Sequence, residues 1–430
     1  MQTVLEAKGH PLPTEKETRR GSSAAPREAD VAIIGAGLSG SLAATVLARA
    51  GIRVSLVDVH ANQAPDFRVE KIAGDQVTLL RRLGLLERFA AASTRVDEII
   101  NAAHGRVLDR TLGEHYSILY PEIVKVARDA ISSEVEFIVG RVSDLTSTPT
   151  RQRVALSNGE VLNPRLVVLA TGQGDTLRQK LGIERRVAFP KHSLSFGFTI
   201  MRSDGERFPF PALTYYGERL SDGIDYLTFL PLGASMRCNL FTFCDHRDEW
   251  ARQFRQDPKS TLLGVLPGLR SFLPEFDVVG KAQLFVMDLS MVENHRQAGV
   301  VLIGDAFQTS CPAAGTGVSR LLVDVDQLCN VHIPNWLATP GMGAERISQF
   351  YDDPVKRRSD EQALKAAHYR RSLTVDTSLP WKLRRGGPQL AAAANVRLDR
   401  QPAPFVLAGR VRTVVNTTGP ARPAQSGAVA

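Results

Sequence analysis

VAIIGAGLSGSLAATVLARAGIRVSLVD, residues 31–58, reads as a strand, a glycine turn, a helix and a second strand. Val31 to Ile34 is a short apolar run with β-branched residues, the pattern of a parallel strand buried on both faces. It stops at Gly35-Ala36-Gly37-Leu38-Ser39-Gly40, a G-x-G-x-x-G turn between strand and helix. Gly35 permits the tight turn, Gly37 has no Cβ to keep a pyrophosphate from the first helical amides, and Gly40 lets the helix lie close on the sheet. Leu42, Ala43, Val46 and Leu47 recur at helical spacing until Gly51, and Val54, Leu56 and Val57 form the next strand. That strand delivers Asp58. A carboxylate there can accept both ribose hydroxyls of an adenosine and repels a 2′-phosphate, so the spacing predicts a tightly held FAD or NAD rather than NADP.

A second stretch, GVVLIGDAFQTSCPAAGTGVSRLLVDVDQL at 299–328, repeats the order strand, loop, helix. Val300 to Ile303 is a buried strand ending in Gly304-Asp305, and the loop carries Pro312. Gly315-Thr316-Gly317 then opens a helix that includes Leu321, Leu322, Val325 and Leu328. Asp305 can accept a hydrogen bond from a ribityl hydroxyl, and the helix start offers free amides and a positive dipole end. An anionic reduced flavin needs such donors near N1 and O2.

The chain has 430 residues, of which 43% are hydrophobic, enough for a large core and for two or three structural units. No run approaches the length of a membrane span, and the start, MQTVLEAKGHPLPTEKETRR, lacks a secretory apolar core, so a cytoplasmic protein is expected. Cys238, Cys244, Cys311 and Cys329 show no paired C-x-x-C spacing, which argues against a disulfide framework and a zinc site. Most of the net charge of +8 sits at the C-terminus: from Lys382 onward eight basic residues face one acid, Asp399. The rest is close to neutral. No specific nucleic-acid partner is expected; the basic end reads as a solubilising terminus, with contact to a membrane or partner the weaker reading.

Residues 1–29 lack a hydrophobic period and read as a disordered leader. After Asp58 a loop holds Arg68, which can bridge to a pyrophosphate or pair with Glu70 at the surface, and a helical pattern follows from Val77 to Leu86. Residues 95–118 read as short strands, then a helix runs from Pro121 to about Ile131. EFIVGRV and RVALSNGEVLN, with its Asn158-Gly159 turn, read as an antiparallel hairpin, and Arg165 to Ala170 returns to the parallel sheet. From His192 to about Met287 alternating aromatic-rich segments predict a mostly antiparallel sheet. Glu345 to Lys356 and Asp360 to Arg371 read as polar helices broken by Pro354, and the Ala-, Gly-, Pro- and Arg-rich end as disordered.

These residues resemble the single-component FAD-dependent aromatic hydroxylases, the family of para-hydroxybenzoate hydroxylase, from about Asp30 to Arg371. The family's first motif is matched by Gly35, Gly37, Gly40 and Asp58, its following arginine by Arg68, and its third motif by Gly304, Asp305, Pro312, Gly315, Gly317 and Asp324. The resemblance implies an α/β fold: a Rossmann-like FAD-binding domain with an inserted, mostly antiparallel substrate sheet and C-terminal helices. The expected division is leader 1–29, FAD-binding domain 30–190 and 291–333, substrate sheet 191–290, C-terminal helices 334–382 and basic tail 383–430. It further implies FAD as cofactor, NADPH or NADH as a transient reductant, molecular oxygen, and a small-molecule substrate hydroxylated or epoxidised by a flavin C4a-hydroperoxide beside the Pro312 backbone.

Several positions depart from the family. Its middle motif, D-G then serine and arginine, appears as Thr171-Gly172 with Asp175 and Arg178, which puts direct reduction by NADPH in doubt. Gln308 and Ser319 replace the usual histidine and asparagine of the third motif, and Tyr120 stands where arginine or glutamine is usual. A halogenase or reductase fed by a separate flavin reductase is the alternative, although the W-x-W-x-I-P signature of flavin halogenases is absent. A non-catalytic carrier on the same fold is the reading from another class. No catalytic side chain can be picked: His192, Tyr215 and Tyr216 lie in the expected sheet but read as core or surface.

Overall fold

The computed structural model describes residues 27–63 and 66–385, so most of the expected leader and tail lies outside the described residues. Five parallel strands form the first sheet, in the order Val300–Leu302, Leu166–Leu169, Val31–Ile34, Val54–Asp58 and Glu136–Val139. Ile33 stands between Val168 and Leu56, in register with both. The apolar runs recognised in the sequence are continuous because the strands are covered on both faces, in a core that joins the helix Leu38–Arg49 with Leu145, Val154, Leu156 and Leu162, and Val31, Ala32 and Ile33 are wholly buried. The central helix, Leu38–Arg49, is buried over most of its length, from Leu38 to Ala48 apart from Ser39.

Eight strands make the second sheet. Its order is Phe276–Glu293, Glu184–Arg202, Ser235–Thr242, Ile224–Leu232, Leu213–Tyr216, Thr94–Ala103, Arg106–Leu119 and Val69–Ala73. All neighbours pair antiparallel except Leu213–Tyr216 with Thr94–Ala103. The mostly antiparallel sheet therefore exists, with two differences from the sequence reading. The short strands expected at 95–118 are one long hairpin turning at His104-Gly105, and the sheet is not confined to 191–290, since three of its strands come from residues 69–119. The division that assigned all of 30–190 to the nucleotide-binding unit is corrected accordingly.

EFIVGRV also divides. Glu136–Val139 closes the edge of the parallel sheet, while Val142–Thr146 joins Arg153–Leu156 and Val161–Leu162 in a three-stranded sheet that keeps the expected Asn158-Gly159 hairpin. Pro354 does not interrupt a helix but starts one: Pro354–Val375 follows Ala344–Asp352, and the Asp353 carboxylate caps it by accepting from the Val355 and Lys356 amides. A last helix, Leu379–Arg385, begins within the expected C-terminal helices and runs on through residues 383–385, the start of the expected tail. The helix Pro354–Val375 is fastened to the large sheet by Arg370, whose Nε and Nη2 donate to the Asp225 carboxylate at 2.8 and 2.5 Å in a buried pair.

Candidate active site

The site begins at the first glycine turn. Gly35 has φ +103°, a conformation reserved for glycine, and a Cβ on it would lie 2.5 Å from the Ala170 carbonyl oxygen of the neighbouring strand. A Cβ on Gly40 would lie 1.8 Å from the Gly35 oxygen, so the helix rests directly on its own turn. Gly37 is different: a Cβ there meets nothing within 4 Å, because it points into an open cavity. The helix Leu38–Arg49 has no side-chain cap, which leaves its first amides facing that space.

Asp58 closes one end of this cavity. Its Oδ2 accepts from the Ala36 amide at 2.6 Å and its Oδ1 from the His60 amide at 2.8 Å, which fixes the carboxylate at the turn. Arg128 stands beside it, with Nη2 3.6 Å from Asp58 Oδ2 and Nε donating to the Ala36 carbonyl at 2.8 Å. Arg128 was missed in the sequence. The available signal was its place four residues after the wholly buried Val124, on the inner stripe of the helix Tyr120–Asp129.

The third motif supplies the opposite wall. Asp305, Pro312, Gly315 and Gly317 all line the cavity, while Gly304 lies behind it and donates its amide to Asp324 Oδ2 at 2.8 Å. Among the described residues the helix Gly317–Gln327 also lacks a side-chain cap, and the buried hydroxyl of Thr316 at its start has no partner. Behind it lies a charged layer that the sequence did not reveal. The Lys356 ammonium donates to Asp324 and Asp360 at 2.8 and 2.9 Å, and the Arg320 guanidinium donates to Ser310 Oγ at 3.1 Å and stands 3.6 Å from Asp305.

Arg68 lines the cavity but is not held by Glu70. Its guanidinium makes a two-point pair with Asp66, Nη2 to Oδ2 at 2.6 Å and Nε to Oδ1 at 3.0 Å, and lies 3.9 Å over the Tyr120 ring. The large sheet covers the cavity with Ser195, Asn239, Phe241, Phe285 and Met287. Thr171 and Ser195 bring buried hydroxyls to the lining that have no partner among the described residues. Of the expected sheet candidates, His192 and Tyr215 do not line the cavity. His192 is buried among Phe189, Phe243 and His368, and Tyr215 donates to Glu218 at 2.5 Å.

The cavity of about 400 Å³ thus brings together Gly35, Gly37, Asp58, Arg68, Asp305, Pro312, Gly315 and Gly317; Gly40 and Gly304 act one layer behind. Two uncapped helix ends, an open glycine cradle and unpartnered hydroxyls suit an elongated anionic ligand with a polar ring system. Comparison with known proteins agrees with this geometry. A family model described as FAD binding domain matches residues 28–330. The 3-demethoxyubiquinol 3-hydroxylase of Escherichia coli is 23% identical over 343 residues, covering 70% of this chain and 79% of that protein. Among solved structures, a p-nitrophenol 4-monooxygenase from Pseudomonas putida superposes with a TM-score of 0.70 at 16% identity, covering 87% of this chain and 96% of its own. A halogenase in complex with phloroglucinol and FAD superposes with a TM-score of 0.64 at 15% identity, covering 81% and 77%.

Proposed function

The chain belongs to the FAD binding domain family, as a divergent FAD-dependent oxidoreductase of the aromatic-hydroxylase kind, and from that premise we propose that it is a monooxygenase acting on an electron-rich, aromatic or polyketide-like small molecule. One observation carries the reading: a single cavity is bordered by both uncapped helix ends, by Asp305 and by the aromatic face of the large sheet. Bound FAD supplies hydride acceptance and activation of molecular oxygen.

The chain's own residues divide the remaining work. Asp58 would hold the adenosine ribose, the amides after Gly37 and the Arg68 guanidinium would hold the pyrophosphate, and Asp305 would take a ribityl hydroxyl. The amides from Gly315 to Gly317 would serve as donors to the flavin ring, and the Pro312 backbone would border the substrate side. Phe241, Phe285 and Met287 keep water from that side, while Ser195 and Asn239 offer it polar contacts. NADH or NADPH binds transiently, or a separate flavin reductase supplies the electrons, because Thr171 stands where the family carries an aspartate. Among the described residues no helix is long and apolar enough to cross a membrane.

The test starts with the purified protein's absorbance. Flavin bands, NAD(P)H-dependent oxygen uptake with phenols, and a product heavier by one oxygen atom are expected. A protein that stays colourless with added FAD overturns the reading, and a halide-dependent product assigns the alternative halogenase activity.

A further inference from the structure

Three carboxylates line the cavity, and they differ in what they hold. Asp58 is engaged by two backbone amides, and Asp305 stands 3.6 Å from the buried Arg320 guanidinium. The Glu70 carboxylate makes neither a hydrogen bond nor an ion pair with any described residue. Its natural partner on the same strand face, Arg68, is already engaged by Asp66 and by the Tyr120 ring.

The strand that carries Glu70 fixes where this carboxylate lies. At its start, Asn239 of the sheet roof donates to the Val69 carbonyl at 2.9 Å. Just past its end, Gln76 donates to Ser319 Oγ at 3.1 Å and reaches the Gly315 carbonyl. Glu70 therefore lies between the roof and the glycine turn of the third motif, where substrate and flavin ring meet in the reading above. The arginines of the cavity have other partners: Arg68 pairs with Asp66 and faces the pyrophosphate in the reading above, and Arg128 pairs with Asp58 and the carbonyls of Ala36 and Ala61. No unpaired lysine or arginine among the described residues of the lining is left for a substrate carboxylate.

Resting on the monooxygenase reading, we propose that Glu70 is the proton acceptor for a hydroxyl of the substrate, which is a neutral phenol or enol without a carboxylate of its own. The substrate O–H bond breaks, its proton forms an O–H bond on Glu70, and the electron pair stays on the substrate oxygen, which activates the adjoining carbon toward the electrophilic oxygen derived from O2. When the oxygenated carbon then loses its hydrogen as a proton to solvent, Glu70 returns its proton to the substrate oxygen and the hydroxyl is restored. Proton transfer itself consumes no oxidant.

Desolvation raises the Glu70 carboxyl to about 7, against the pull of Arg68 and with Asp66 and Asp305 adding to the rise. The groups facing it are thus Arg68 and Asp66 from the preceding segment, Asp305 from the third motif and Tyr120 from the helix Tyr120–Asp129. A phenol O–H binds the carboxylate better than the acid, so affinity rises with pH through the Glu70 ionisation. Phenol itself, with a pKa of about 10, stays neutral there.

The experiment uses the full-length FAD-loaded protein and titrates phenol and its methyl ether, anisole, by the perturbation of flavin absorbance at about pH 6 and about pH 8. Phenol should bind the wild type about tenfold more tightly at the higher pH, and anisole should show no such change. Glu70→Gln, with FAD occupancy checked, should flatten the phenol profile and lower kcat by roughly 10²-fold or more, with Glu70→Asp recovering part of both. Failure of the wild type to bind phenol, equal pH dependence for anisole, or an unchanged profile in Glu70→Gln overturns the proposal. If Glu70→Gln loses FAD, the wild-type comparison of phenol with anisole decides alone. Oxygen uptake that persists unchanged in Glu70→Gln defeats this inference and leaves the monooxygenase reading standing; a wild type inert toward oxygen defeats that reading.

Discussion

At the scale of single residues, glycines of one turn separate folding from cofactor binding. Gly40→Ala forces a methyl into the Gly35 carbonyl and should lower apoprotein stability by roughly 1–3 kcal/mol in thermal unfolding. Gly37→Val points into open cavity, so it should leave apoprotein stability nearly unchanged and abolish FAD retention on gel filtration. Thr171, whose hydroxyl is buried without a partner, stands where the family carries an aspartate. Flavin reduction by NADH or NADPH without substrate should be slow in anaerobic stopped flow, and rapid reduction there would remove any gating role for this position. His192 bears on pH. Desolvation, with Arg371 and His368 adding to it, lowers its imidazole to about 4. The folded state then binds this proton less readily than the unfolded chain, so stability is full above about pH 6.5 and falls as pH drops toward 4. His192→Phe, among Phe189 and Phe243, should reduce the slope of melting temperature against pH in that window.

At the scale of elements, legibility followed burial. The parallel strands and both glycine turns were readable because a strand covered on both faces is continuously apolar and a turn that must approach a neighbour needs glycine. The hairpin 94–119 was read too short because its second strand is largely exposed from Arg106 to Glu114 and shows no clean alternation. Lys356 and Arg320 were hidden for a different reason: in a polar helix a buried cation looks like any surface charge until its partners are seen. Lys356→Ala leaves Asp324 buried beside Arg320 with no direct ammonium contact. The loss should be about 3–5 kcal/mol in chemical unfolding; a loss under about 1 kcal/mol would mean the cluster is already relaxed by water.

For the whole molecule, the cavity lies where the parallel sheet and the eight-stranded sheet meet, and its lining runs from Gly35 to Leu321. The Asn239 bond to Val69 and the Gln76 bond to Ser319 fasten the strand Val69–Ala73 to both sides of that meeting. The specificity surface is therefore not an exchangeable cassette. A chimera that takes only residues 191–290 from a related enzyme would set five foreign strands against three native ones, with Leu213–Tyr216 meeting the wrong edge at Ile100 to Ala102. Such grafts should express as insoluble protein or lose flavin, whereas grafts that carry residues 69–119 along should remain soluble and yellow. Recombination in this lineage would then have to exchange noncontiguous blocks of chain, and new substrate ranges would arise more readily from point changes on the cavity face than from swapping the sheet.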